Sequence, residues 1–226
     1  MVNVDTVYQR VLALANKEQR GYITPQEFNL FANQAQMETF EQYFYDINQF
    51  GRTHGNDTEY SDMLNLLNEK IAIFKTQFAL LYSSPVFQKP SQIYRLGTIL
   101  HKGIEIQQVN YNELLQFAKS PLLKPTETLP VFYERNDGYI IKPNSITTNV
   151  ICTYVKNPDK VQWGYNVIGS NALYDATNTV HFELHRSEEA SLVVKILALA
   201  GITLNKPGLV QMGQQMDQIK EQKEKQ

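Results

Sequence analysis

The chain has 226 residues, of which 42% are hydrophobic, and its 21 basic side chains nearly balance 23 acidic ones, for a net charge of −2. The apolar fraction excludes a wholly disordered chain, and the charge balance excludes a generic basic nucleic-acid binder. A single cysteine, Cys152, excludes an intramolecular disulfide framework and a Cys-rich zinc site.

The first third reads as helical. Val4, Val7, Tyr8, Val11, Leu12 and Ala15 recur at the spacing of one helix face. Gly21 suits a break after them. Thr24-Pro25-Gln26-Glu27 then predicts a helix start, with Thr24 as N-cap, Pro25 in the first turn and Glu27 closing a capping box. That helix carries Phe28, Phe31, Ala32, Ala35, Phe40, Phe44 and Ile47. Asp57 is placed to cap a third helix. Its seam of Leu67, Ile71, Phe74, Phe78 and Leu81 predicts that it runs to the Ser83-Ser84-Pro85 stop.

The middle changes period. Alternation at Tyr94 and Leu96 and at Ile104 and Ile106, around His101-Lys102-Gly103, predicts a hairpin. Asn110 and Glu113 predict a short capped helix to Ala118, followed by a loop holding Pro121, Pro125 and Pro130. Val131–Glu134 and Tyr139–Ile141 flank Arg135-Asn136-Asp137-Gly138 as a second hairpin. Val150–Val155 and Val180–Leu184 read as further strands. Ser187, Glu188 and Glu189 open a nearly all-apolar helix from Ala190 to Ala200, with Gly201 as its stop. Leu209, Met212, Met216 and Ile219 form a thin apolar stripe in a polar tail. The order predicts an α+β fold, with a helical bundle over 1–90, a β-rich domain over 91–186, and a C-terminal helix and tail over 187–226 packing on the bundle or on neighbours. No apolar run approaches ~18 residues, so no membrane span is expected. The first residues show no basic region before an apolar stretch, so no secretory signal is expected, and reduced cytoplasmic folding suits the lone cysteine.

Four places carry residue types that chemistry uses. Within Asn16–Glu27, residues Gly21, Ile23 and Glu27 match a calcium loop, but Arg20 stands where an oxygen ligand is needed, beside Asn16 and Glu18. A helix–turn–helix corner is the simpler reading. On a strand, His181, Glu183 and His185 share one face, a partial metal-ligand set without an identifiable fourth member. Plain alternation, with Val180, Phe182 and Leu184 inward, explains the same pattern. Cys152 lies in an apolar run and reads as a small buried hydrophobe rather than a nucleophile. Lys156-Asn157-Pro158-Asp159-Lys160 with Trp163 reads as a loop anchored by one indole, with too few cations for a nucleic-acid platform. No phosphate-binding glycine loop, nucleophile elbow or His-Glu-x-x-His motif occurs. The expectation is therefore no catalytic residue, no metal ligand and no cofactor.

Whole segments carry a resemblance. Asn16 to Gln36, centred on Gly21-Tyr22-Ile23-Thr24-Pro25-Gln26-Glu27-Phe28, is similar to the N-terminal segment of a group of tailed-phage virion proteins. These include ring or connector proteins of crAss-like phages and related marine phages. Ile140-Ile141-Lys142-Pro143, Cys152-Thr153-Tyr154-Val155-Lys156-Asn157-Pro158, Phe182-Glu183-Leu184-His185-Arg186-Ser187-Glu188-Glu189 and Pro207-Gly208-Leu209-Val210-Gln211-Met212-Gly213-Gln214-Gln215 fit the same picture. The resemblance implies a non-enzymatic head-to-tail connector (adaptor) subunit, assembled in the host bacterial cytoplasm and residing in the virion. It implies a homo-oligomeric ring, often of twelve subunits, that meets the portal protein and neighbouring tail or ring proteins and lets double-stranded DNA pass without binding it strongly. Another tail component, such as a tube or nozzle protein, is the nearest alternative, and a metal-dependent enzyme built on His181, Glu183 and His185 the more distant one. A chain with many Asn, Gln and Tyr and little net charge suits subunit contacts around a DNA channel, because each neutralised phosphate adds salt-dependent affinity.

Overall fold

The computed structural model describes residues 1–17, 23–50, 57–169 and 171–203. The fold is α+β. Helix α1, Val4–Lys17, buries Val4, Val7, Tyr8, Val11 and Ala15, the face set by their spacing. Helix α2, Pro25–Phe50, starts where the sequence places it. The Thr24 backbone N–H and hydroxyl donate to the Glu27 carboxylate at 2.9 and 2.8 Å, and the Glu27 N–H donates back to Thr24 Oγ1 at 3.3 Å. Those bonds favour the ionised form and hold the Glu27 carboxyl below its usual range.

Helix α3, Asp57–Ala72, ends well short of Leu81. Lys75–Ala79 is instead strand β1, so Phe74, Phe78 and Leu81 do not continue a helical seam. The reason is a pairing that spacing does not show: Lys75 to Ala79 lie antiparallel to Val155 to Ile151. The short strands β2, Tyr82–Ser83, and β3, Val86–Phe87, follow around the predicted Ser84-Pro85 stop.

The first predicted hairpin forms as β4, Ile93–His101, and β5, Ile104–Gln108. Its turn residues Lys102 and Gly103 both have positive φ, 50° and 84°, the geometry that matches strand twist. Helix α4, Tyr111–Lys119, opens with the Asn110 N–H donating to Glu113 at 2.8 Å. The second predicted hairpin is β6, Val131–Arg135, and β7, Gly138–Lys142; strand β8 is Val150–Lys156.

These eight strands form one sheet in the order β1-β8-β4-β5-β6-β7-β3-β2, antiparallel throughout except for the parallel β5–β6 pair. Its two ends, β1 and β2, are separated by only Leu80 and Leu81. One stretch of chain therefore supplies both ends, and the sheet curls to bring them together. Phe87, Ile99, Ile106, Phe132, Tyr139 and Cys152 fill its interior. Gly97 sits at a register shift in β4, where a Cβ would stand 2.9 Å from the Thr153 carbonyl oxygen. Only a residue without a side chain fits that approach.

The last helix, α5, is Glu189–Thr203, preceded by a single 3-10 turn at Arg186–Glu188. It packs on α1 and α2, and no residue from Ser191 to Gly201 is fully exposed. Gly201 does not stop it: the helix continues to Thr203. The Val180–Leu184 strand is also not formed. Val180 bridges Gln162 and Phe182 bridges Val2, two isolated contacts with different partners instead of a ladder.

Two compact units result: residues 1–73 with 158–226, and residues 74–157. They differ from the three consecutive stretches expected, because the first and last thirds of the chain share one unit and β1 to β3 belong to the sheet. In the helical unit, Lys70 and Glu188 form an ion pair at 2.8 Å with side chains only 8% and 4% exposed. The Lys70 ammonium also lies 5.6 Å from the centroid of the Tyr43 ring.

Candidate interaction surfaces

The sheet unit carries a groove. On α4, Leu114 turns inward and packs with Val109 and Val131. A second stripe, Tyr111, Leu115 and Ala118, follows the i, i+4, i+7 spacing of one helix face and stays exposed. Opposite it stand Lys124-Pro125, Tyr133 and Lys142-Pro143-Asn144, enclosing a cavity of about 470 Å³. The Tyr111 and Tyr133 rings meet with centroids 5.4 Å apart. Both charged residues of the lining are cations, and Lys142 Nζ donates to Asn144 Oδ1 at 2.6 Å. Next to the groove, Leu122 and Leu123 are exposed at 95% and 59%. Apolar side chains gathered in this way mark a surface that another molecule covers.

The helical unit carries a different surface, and the predicted Trp163 loop builds it. Asn29, Asn33 and Gln36 form one stripe on α2. Asn33 donates to the Val161 carbonyl at 2.8 Å and accepts from the Val161 N–H at 2.9 Å. Asn29 does the same for Trp163, at 3.3 and 2.7 Å. Gln36 donates to the Asp159 carbonyl at 2.8 Å and accepts from the Glu183 N–H at 3.1 Å. Residues four apart on a helix rise about 6 Å, and residues two apart on an extended chain advance about 6.6 Å. The Asn29 and Asn33 amides thus meet alternate residues Trp163 and Val161 as a neighbouring strand would, and the longer Gln36 side chain, three residues on, reaches Asp159 with a single bond. On the other edge, Gln162 exchanges both backbone bonds with Val180, at 3.1 and 2.8 Å. Part of the Asn and Gln content is therefore internal scaffolding and not surface.

This clamp fixes Trp163. Its Nε1–H donates to Asp5 at 2.9 Å, and its ring packs 4.5 Å from that of Tyr8. Tyr165 and Tyr174 lie 5.8 Å from the indole, at the root of a hairpin formed by β9, Tyr165–Ile168, and β10, Asn171–Tyr174. The apolar pattern does not predict this hairpin, although Gly169-Ser170 between two short apolar runs is a turn signal. Beyond the root, Val167, Ile168 and Leu173 are 66%, 65% and 51% exposed. At its base Asp175 accepts bonds from the Thr177 N–H and from the side chains of Asn178 and Asn166, which hold its carboxyl below the usual range.

The residues singled out for metal chemistry do not converge. His181 Nδ1 accepts from the Val4 N–H at 3.4 Å. His185 Nδ1 accepts from the Ser187 N–H and caps the 3-10 turn. Glu183 is buried and accepts from the Asp159 N–H at 3.0 Å. Each serves a separate backbone segment. Among the described residues, no group of three or more His, Cys, Asp or Glu is placed to hold a metal ion. Cys152 is fully buried in the sheet unit, and burial pushes its thiol up to about 11. In the Asn16–Glu27 segment, the Glu27 carboxylate is committed to Thr24 and Ile23 is buried, while Glu18, Arg20 and Gly21 lie outside the described residues. So do the tail segment Pro207–Gln215 and the stripe from Leu209 to Ile219. No described helix is long and apolar enough to cross a membrane. No protein-family model matches the chain, and no curated protein matches it in sequence.

Proposed function

We propose that the chain is a structural, non-enzymatic subunit of a phage head-to-tail connector ring, joining portal to tail and extending the DNA channel. The observation that carries this reading is the pair of exposed apolar surfaces, one on each compact unit: Leu115, Leu122 and Leu123 around the α4 groove, and Val167, Ile168 and Leu173 on the hairpin. A chain that leaves both uncovered is built to have neighbours. The segment resemblance supplies the kind of assembly. The net charge of −2 agrees with DNA passing by without strong retention. His181, His185 and Glu183 are committed to backbone groups and Cys152 is buried, which supports a role without catalysis. The test is electron microscopy of the purified chain with the portal protein of the same phage. Closed rings seated on the portal are expected. A chain that remains monomeric alone and with portal overturns the proposal.

A further inference from the structure

The two surfaces differ in shape, and the difference points to how they are used. The hairpin is convex. It is a two-stranded sheet, and such a sheet is marginal without something packed on it. Trp163 packs on the root tyrosines, Tyr165 and Tyr174, while Val167 and Ile168 toward the turn and Leu173 beside the root stay exposed. The α4 groove is concave, walled by Tyr111, Leu115, Pro125 and Pro143, and its volume of about 470 Å³ takes several side chains. The charges are complementary. From Tyr165 to Asp175 the only charged residue is Asp175, whereas the groove lining holds Lys124 and Lys142 and no carboxylate. Asp175 stands at the base of the hairpin, so the strands that enter are themselves uncharged and bring no cation against Lys124 or Lys142.

We propose that the β9–β10 hairpin of one copy seats in the α4 groove of a second copy. This inference rests on the ring reading and deepens it. Ile168 and Leu173 lie on one face of the hairpin, as the register pairs Ile168 with Asn171 and Leu173 with Asn166. They enter against Tyr111 and Leu115, and Lys124 and Lys142 remain at the rim. Because knob and groove are different patches of the same chain, the contact is heterologous. Each copy then offers one hairpin and one groove, and repetition closes a ring when the rotation permits.

The experiment uses the full chain with one substitution on each side. Ile168→Asp disables the hairpin, and Leu115→Asp disables the groove. Both positions are exposed, so both variants retain the wild-type fluorescence of Trp163 and the wild-type circular dichroism. Ala118→Arg, at another exposed groove position, is the second groove variant. By light scattering after size exclusion, with portal present where portal is needed to seed the ring, each variant alone is expected to lose rings. An equimolar mixture of a hairpin variant and a groove variant is expected to give one-to-one dimers and stop there, since only one intact knob and one intact groove remain. A mixture that stays monomeric overturns the docking. So does a ring that survives Ile168→Asp and both groove variants, and in that case the connector reading stands. A wild-type chain that forms no ring with or without portal overturns the connector reading itself.

Discussion

Asn33→Ala removes the amide that both donates to and accepts from Val161. Val161 is buried, 2% exposed, so water does not readily replace either bond. A buried backbone group left without a partner costs about 1–3 kcal/mol. Two such groups, with partial relaxation, give a loss of about 2–4 kcal/mol. In a chain of this size that corresponds to a fall in Tm of roughly 4–16 °C. Trp163 is the only tryptophan, and it lies two residues from the lost bonds, so its fluorescence follows the helical unit during urea unfolding. Amide hydrogen exchange gives a sharper readout. The Val161 N–H is expected to lose protection in Asn33→Ala, and the Trp163 N–H in Asn29→Ala. Asn112→Ala, at an exposed position on α4, is expected to stay within about 0.5 kcal/mol of wild type. If Asn33→Ala is no more destabilising than Asn112→Ala, or if Val161 exchange is unchanged, the reading of the α2 amides as a substitute strand is wrong.

Lys70→Met removes the ammonium paired with the buried Glu188 carboxylate and is expected to cost about 3–5 kcal/mol, whereas Lys70→Met with Glu188→Leu recovers most of the loss. Urea midpoints of the single and double variants check this, and equal losses refute it. Thr24→Ala opens the box at the start of α2 and is expected to cost about 1 kcal/mol by the same assay. Gly138→Ala forces a Cβ into the Phe87 carbonyl oxygen at the β3–β7 pair, and about 2 kcal/mol or more is expected by thermal unfolding. Cys152 is expected to resist thiol reagents at pH 8 until the chain unfolds, and rapid labelling of the folded chain contradicts its burial. Burial holds its thiol at about 11, above the ordinary value of 9.0, so its contribution to stability is complete below pH 9 and fades as the pH rises through 11.

Local chemistry was readable wherever the deciding bonds are local. The Thr24–Glu27 and Asn110–Glu113 boxes lie within one helical turn, and the turns at Lys102-Gly103 and Asn136-Asp137 join neighbouring strands. Each was placed from residue type and spacing alone. Local spacing misleads where a distant segment outweighs it. Phe74 and Phe78 keep a helical interval, yet β8 captures Lys75–Ala79 as a strand. Val180–Leu184 keeps a strand interval, yet its backbone bonds go to Gln162, Val2 and the Gln36 amide instead of to one partner. The β9–β10 hairpin carried a Gly-Ser turn signal, but its runs are short and its tip faces outward, so hydrophobic patterning for a core did not mark it.

The candidate surfaces divide in the same way. From the sequence came the capped α4, the proline-rich loop after it, the role of Trp163 as an anchor, and a composition poor in net charge. It did not reveal that Tyr111, Leu115 and Ala118 face Pro125 and Pro143 across a groove, since those positions converge only when β5, β6 and β7 are in register. Nor did it separate the Asn and Gln that reach solvent from those that clamp Asp159–Trp163, because an amide's role depends on what lies within about 3 Å of it. The amino-acid sequence determined the elements, the caps and the near-neutral charge, all properties of neighbouring residues. Tertiary structure alone decided which strands close the sheet, which amides are internal and which apolar side chains remain uncovered, because each is set by contacts between residues far apart in the chain.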